Sequence, residues 1–226
     1  MSSLQPGPDR LHTFAIPPRA ARKQRRVPQP SIARVVSELI VVSVALFAVV
    51  IFVPLSSSRF VIVTAVACLL TTGYAIYGAT RIRGTAKWWG FVWGGKYDDD
   101  LARGLFHTGL LFLLALVPIA VIKCGIRTPT VPNPLAYLLW CFAQDFLFFS
   151  ILFRGIERLT PKWVVGGQHL PVGATALLFG LSHFPFYGFM VATAGIAVFW
   201  GYIFQRSRLL WPVTALHFLL GLIVMA

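Results

Sequence analysis

Long apolar runs separated by short polar stretches dominate this chain after a polar beginning. About 20 apolar residues are needed for a helix to cross the hydrocarbon of a bilayer. The runs of this length or slightly shorter lie at about residues 35–55, 60–79, 105–124, 134–159, 171–183, 186–204 and 209–226. The fifth run is short enough for a half-buried helix instead of a full crossing. The pattern predicts an all-α, polytopic transmembrane helix bundle of about seven membrane segments.

Composition supports the membrane assignment. The 226 residues are 57% hydrophobic, with a mean hydropathy of +0.75, and a soluble domain of this size has no core large enough for several such runs. Cys68, Cys124 and Cys141 lie in or beside apolar segments and have no CxxC spacing. An odd number of cysteines in this arrangement argues against a disulfide framework or a zinc site.

Charge divides the chain and predicts its orientation. Residues 1–34 are polar, basic and rich in proline, which predicts a disordered cytoplasmic tail. Suppose that this tail is cytoplasmic and that every run crosses the membrane. Of the 20 Lys and Arg residues, three then lie on the side away from the cytoplasm: Arg59, Lys123 and Arg127. The positive-inside rule therefore predicts a cytoplasmic N-terminus, and we expect an integral protein of a bacterial inner (plasma) membrane. The net charge of +13 follows from this asymmetry and does not indicate binding to nucleic acid.

The second region, residues 35–133, is predicted to hold the N-terminal transmembrane helices and a tryptophan-rich loop. Within that loop, Trp88, Trp89 and Trp93 are typical of an interfacial helix at the level of the lipid headgroups. The third region, residues 134–226, holds the last four apolar runs.

Ionisable residues interrupt the apolar runs of this third region. Asp145 lies in the fourth run, His183 ends the fifth and His217 lies in the last. An ionisable group in hydrocarbon is costly, so it usually faces a partner or a water-filled cavity. At about 1.5 Å per helical residue, the three lie roughly 21, 18 and 13 Å from the cytoplasmic ends of their runs. Their depths in the membrane therefore agree to within roughly one helical turn.

Three motifs in this region resemble those of the CPBP family, also called Abi, which contains CAAX prenyl endopeptidases and proteins linked to bacteriocin processing or immunity. The segments are FSILFRG (149–155), LLFGLSHF (177–184) and GYIFQRSRLLWPVTALHFLLG (201–221). The family motifs are commonly EExxFRG, FxxxH and HxxxN or HxxxD. The residues that match them are Phe153, Arg154, Gly155, Phe179, His183 and His217. The resemblance covers about residues 134–226 and implies a CPBP-like membrane domain there, built from the last four segments.

The departures from the family fall on its chemistry. Phe149 and Ser150 stand in place of the paired glutamates, and Gly221 stands in place of the Asn or Asp of the third motif. The resemblance implies that the first glutamate and a histidine activate water against a peptide carbonyl, while the other histidine and the Asn stabilise the oxyanion. This chain lacks the family's base and that stabiliser. Two histidines without a motif carboxylate are also a poor zinc set, so neither a metal nor another cofactor is expected.

Asp145 is the candidate replacement carboxylate, because it lies one helical turn before Phe149 on the same face. The candidate catalytic residues are therefore His183, His217, Asp145 and Arg154. In the family pattern the arginine braces the glutamates. Here its partner is Asp145, lipid or, by helical spacing, Glu157.

Three functions remain open on this sequence. The first is an intramembrane endopeptidase with a non-standard carboxylate, acting on a membrane-associated or lipidated peptide. The second is a catalytically inactive relative that binds such a peptide or acts as a membrane partner of the bacteriocin-immunity type. The third is a small transporter that uses the buried polar residues as a relay, although no inverted repeat supports it. The lipid bilayer is a partner in all three, and the sequence carries no signal for an oligomeric state.

Overall fold

The computed structural model describes residues 29–52, 58–82, 84–91, 100–124, 133–161, 163–164 and 166–225. Most of the predicted tail, together with Trp93, lies outside these residues. Within them the chain is helical and contains no strand. The elements are α1 (Ile32–Phe52), α2 (Ser58–Arg81), α3 (Thr85–Trp88), α4 (Asp100–Cys124), α5 (Pro134–Asp145), a π-helical stretch (Phe146–Phe153), α6 (Arg154–Leu159), α7 (Leu170–Leu181), α8 (Tyr187–Ser207) and α9 (Trp211–Met225).

Every predicted apolar run corresponds to a helix, which confirms the all-α bundle. Among the described residues, Pro134–Leu159 and Tyr187–Ser207 are both long and apolar enough to cross a bilayer. Helix α7 has 12 residues and is about 18 Å long, shorter than the roughly 30 Å of hydrocarbon in a bilayer. The number of full crossings stays a prediction.

The longest of these helices, Pro134–Leu159, joins α5, the π-helical stretch and α6 without a break. Its start is fixed by Asn133, whose side chain accepts hydrogen bonds from the backbone amides of Leu135 at 2.9 Å and Ala136 at 3.2 Å. Pro134 follows at the first helical position, where its missing N–H costs nothing. This cap sets the register that places Asp145 at the end of α5.

The π-helical stretch Phe146–Phe153 forms the centre of the bundle. Its sequence, FLFFSILF, is apolar on nearly every side, and each residue except Leu147 is buried. A helix without a polar face needs neighbours all round, and this stretch packs against α1, α2, α7 and α8. The widened turn lies between Asp145 and Arg154, a position where π-helical insertions often mark functional sites.

The closest helix packing is between α7 and α8. A Cβ placed on Gly180 would lie 2.7 Å from the carbonyl oxygen of Met190 and 2.8 Å from the Cβ of Ala194. Only a residue without a side chain permits this approach. The apolar run had predicted that His183 lies inside a helix. Because α7 ends at Leu181, His183 lies instead in the turn that follows it.

The tryptophans of the α2–α4 connection differ from their predicted position. Trp88 is 8% exposed and Trp89 is fully buried, so neither side chain faces lipid headgroups. The Trp89 ring instead packs against the rings of Tyr74 and Phe146, at 5.3 and 4.9 Å between centroids. Tryptophan is enriched both at membrane interfaces and in cores, and neighbouring aromatic surface decided between them here.

Candidate functional site

Asp145 and His217 form a buried pair between α5 and α9. Asp145 Oδ1 lies 3.0 Å from His217 Nδ1. The carboxylate side chain is 0% exposed, whereas the imidazole keeps 11% of its surface accessible. Since a carboxylate only accepts hydrogen bonds, Nδ1 carries the proton, and Nε2 of the neutral ring presents a lone pair.

Two aromatic rings fix the orientation of the His217 imidazole. The Trp200 ring from α8 lies 4.8 Å from it and the Phe179 ring from α7 lies 5.6 Å away, both between centroids. Trp200 is 4% exposed and Phe179 is 1% exposed, so neither ring can move aside without opening the core. The imidazole is therefore held by one carboxylate and two rings.

His183 is oriented by the backbone of its own turn. Its Nδ1 lies 2.9 Å from the carbonyl oxygen of Phe179 and 3.3 Å from Thr193 Oγ1. The Thr193 hydroxyl donates to the carbonyl of Phe189 at 2.7 Å, and the Ser182 hydroxyl donates to the carbonyl of Phe179 at 2.7 Å. With both hydroxyl protons engaged, the imidazole Nδ1–H is the donor to Phe179, and Nε2 again presents a lone pair.

Phe179 links the two histidines. Its ring contacts the His183 ring at 5.3 Å and the His217 ring at 5.6 Å between centroids. The structure thus brings Asp145 and His217 into direct contact. His183 lies on the other side of the Phe179 ring, which contacts both imidazoles. These are the three residues that helical rise had placed at one level.

The positions of the missing glutamates are filled by close packing. Phe149 is fully buried and its ring lies 5.9 Å from that of Phe204. Ser150 is also fully buried and donates a 2.7 Å hydrogen bond to the carbonyl oxygen of Trp89. A carboxylate at either position would be buried in these apolar surroundings.

Arg154 lies in a separate ionic cluster. Its Nη1 is 2.7 Å from Glu157 Oε2, which also binds Arg208 Nη1 at 2.7 Å. Its Nε donates to the carbonyl of Trp88 at 3.0 Å, and the guanidinium lies 4.3 Å from the centre of the Trp88 ring. Of the partners considered from the sequence, Glu157 is the one observed. The arginine therefore braces α6 and the α3 segment and makes no hydrogen bond to the Asp145–His217 pair.

An apolar cavity of about 280 Å³ lies between α4, α8 and α9. Its lining includes Trp200, the residue that packs against the His217 ring, together with Leu216, Leu220 and Phe112. Sequence reasoning did not single out Trp200, since one tryptophan in an apolar helix carries no distinguishing signal. An apolar chain in this cavity would lie against the ring that holds His217.

No three His, Cys, Asp or Glu residues converge on a possible metal position in the described part of the chain. The chemistry that the site offers is that of a carboxylate-held imidazole, a second imidazole and an apolar cavity.

Comparison with known proteins gives one family. The family described as Type II CAAX prenyl endopeptidase Rce1-like matches residues 112–223, which contain Asp145, His183 and His217. No curated protein and no solved structure matches the chain.

Proposed function

Because the chain belongs to the CPBP family of CAAX proteases through residues 112–223, we propose that it is a membrane-embedded endopeptidase whose general base is His217, held by Asp145. The single observation that carries this proposal is the 3.0 Å contact between the fully buried carboxylate and the partly accessible imidazole. A histidine fixed at Nδ1 by a carboxylate has one defined tautomer, and its Nε2 is available to take a proton.

The proposed reaction begins with a water molecule at His217 Nε2. The imidazole removes one proton from the water, and the resulting hydroxide attacks the peptide carbonyl carbon. Asp145 stabilises the imidazolium that forms. Since the carboxylate is 0% exposed and already bonded to the ring, it is a positioning residue and does not itself contact the water.

His183 supplies a second acid–base group in this proposal. In its protonated form, His183 gives its Nε2 proton to the leaving amine, while Nδ1 keeps its bond to Phe179. The Phe179 and Trp200 rings beside His217 are buried, and such low-dielectric surroundings strengthen electrostatic interactions.

The substrate class follows from the surroundings of His217. The apolar cavity lined by Trp200 and Leu216 suits a membrane-embedded peptide or a peptide with a lipid-modified tail. We further propose that the chain lies in a bacterial inner membrane with its N-terminus in the cytoplasm, on the support of the positive-inside asymmetry.

A second candidate function is a catalytically silent relative that binds such a peptide without cutting it. The observation that favours it is the packing at the glutamate positions, where Phe149 and Ser150 are buried among Phe204 and Trp89. This packing removes the family's own base while leaving the apolar cavity.

The test is turnover by purified protein in proteoliposomes, offered fluorescent membrane-spanning peptides and farnesylated C-terminal peptides. We expect Asp145→Asn to lower kcat roughly 1,000- to 10,000-fold, because the amide favours the wrong tautomer of His217. His217→Ala and His183→Ala should each lower it roughly 100- to 10,000-fold. His169→Ala is the matched control, since this exposed histidine bonds to Tyr202 and lies outside the pair.

Full turnover by Asp145→Asn would remove the proposed mechanism. Binding of the peptides without cleavage by the wild type would establish the silent relative instead.

A further inference from the structure

Tyr137 and Gly221 occupy one space between α5 and α9. A Cβ built on Gly221 would fall inside the phenol of Tyr137, with the hydroxyl oxygen as its nearest neighbour. The Tyr137 ring is also packed against Phe218 at 5.9 Å between centroids. The phenol can therefore lie here only because residue 221 has no side chain.

The same hydroxyl lies on the helix face that leads to the buried pair. Tyr137, Cys141 and Asp145 follow one another at intervals of four residues on α5, so their side chains share a face. On the facing helix, Gly221 comes one turn after His217. The phenol thus lies about two turns along α5 and one turn along α9 from the Asp145–His217 contact.

The site needs a hydrogen-bond donor that its histidines do not supply in their neutral forms. Both rings engage their Nδ1 proton, His217 with Asp145 and His183 with the Phe179 carbonyl. Each Nε2 then only accepts. Attack on a peptide carbonyl places negative charge on its oxygen, and that charge is stabilised by a donor aimed at it. A tyrosine hydroxyl is a neutral donor of this kind.

We propose that the Tyr137 hydroxyl donates to the carbonyl oxygen of the bound peptide, in the space that a side chain at residue 221 would otherwise occupy. This inference rests on the proposed endopeptidase function and adds a catalytic residue to it. It also accounts for Gly221, whose lack of a side chain admits the phenol.

The first experiment compares Tyr137→Phe with the wild type in the proteoliposome cleavage assay. Removing one hydroxyl keeps the ring and its packing, so we expect kcat to fall roughly 100-fold with KM unchanged, as when one oxyanion donor is lost. Tyr202→Phe is the matched control, since the Tyr202 hydroxyl bonds to His169 away from the pair. Its kcat should equal that of the wild type.

The second experiment exchanges the donor between helices. Tyr137→Ala opens the space, and adding Gly221→Asn places an amide donor in it. The double variant should recover at least about tenfold of the kcat lost in Tyr137→Ala alone. A purely structural role for the tyrosine predicts no such recovery in kcat.

The third measurement does not depend on activity. Gly221→Ala should lower the melting temperature in detergent because its methyl group overlaps the phenol, and Tyr137→Ala should restore it in the double variant. A Gly221→Ala variant as stable as the wild type would overturn the inference by itself. Unchanged kcat in Tyr137→Phe overturns the inference and leaves the endopeptidase standing, whereas a wild type that cuts no peptide overturns both.

Discussion

At the scale of single residues, Asp145 is the most demanding position in the protein. Its side chain is fully buried, one carboxylate oxygen bonds to His217, and the other has no hydrogen-bond partner among the described residues. Charge in such a place is tolerated only while its partner remains. The sequence located this carboxylate and both histidines, because ionisable side chains stand out in apolar runs. It did not determine which nitrogen bonds to which oxygen, since that depends on the angle between α5 and α9.

The pair gives a prediction on stability. His217→Ala leaves the Asp145 carboxylate buried and unpaired, so the free energy of unfolding should fall by about 3–5 kcal/mol. The double variant Asp145→Leu/His217→Leu replaces the pair by apolar groups and should recover most of that loss. Denaturation in detergent micelles measures both. If the double variant is no more stable than His217→Ala, the pair is not the source of the effect.

At the scale of elements, the π-helical stretch decides how the site is built. It lies between Asp145 and Arg154. The α3 segment packs against it, and Ser150 donates a hydrogen bond to the Trp89 carbonyl. The length of the apolar run predicted one segment over 134–159, and the structure has one helix over these residues. The π turn itself gives no pattern that can be recognised in a stretch that is apolar throughout, and the docking of Trp89 depends on residues more than fifty positions away.

This docking gives a prediction for one hydroxyl. Ser150→Ala leaves the buried Trp89 carbonyl without its donor, which should lower the free energy of unfolding by about 1–3 kcal/mol. Ser37→Ala is the matched control, because the exposed Ser37 hydroxyl bonds only to the Ala33 carbonyl of its own helix. Its effect should stay within about 0.5 kcal/mol, as for other surface substitutions. Equal effects in the two variants would contradict the role assigned to Ser150.

At the scale of the whole molecule, the bundle combines an ionic cluster at one end with an apolar cavity and a buried pair. Glu157 joins Arg154 on α6 to Arg208 at the turn between α8 and α9. This arrangement ties the end of the long helix to the α8–α9 turn. The sequence had suggested the contact between Arg154 and Glu157 from their spacing, but the contact with Arg208 joins residues 51 positions apart.

The proposed orientation is tested with reporter fusions in bacterial cells. Because the basic residues are concentrated on one side of the predicted topology, a fluorescent protein fused before Met1 should fluoresce in the cytoplasm. Alkaline phosphatase fused after Ala226 should be active outside the inner membrane. As a control, the two reporters are exchanged between the ends, and both should then be inactive. Activity in the exchanged fusions alone would show the opposite orientation.

The sequence by itself determined that this is a helical membrane protein, where its helices lie, and which ionisable residues interrupt them. These properties depend on local composition and on helical rise, which are read along the chain. The tertiary structure decided that Asp145 meets His217, that Trp88 and Trp89 are buried, that Glu157 pairs with Arg208, and that Tyr137 occupies the space beside Gly221. Such contacts depend on which helix faces which and at what distance. Packing between remote segments sets that choice, and no pattern along one segment contains it.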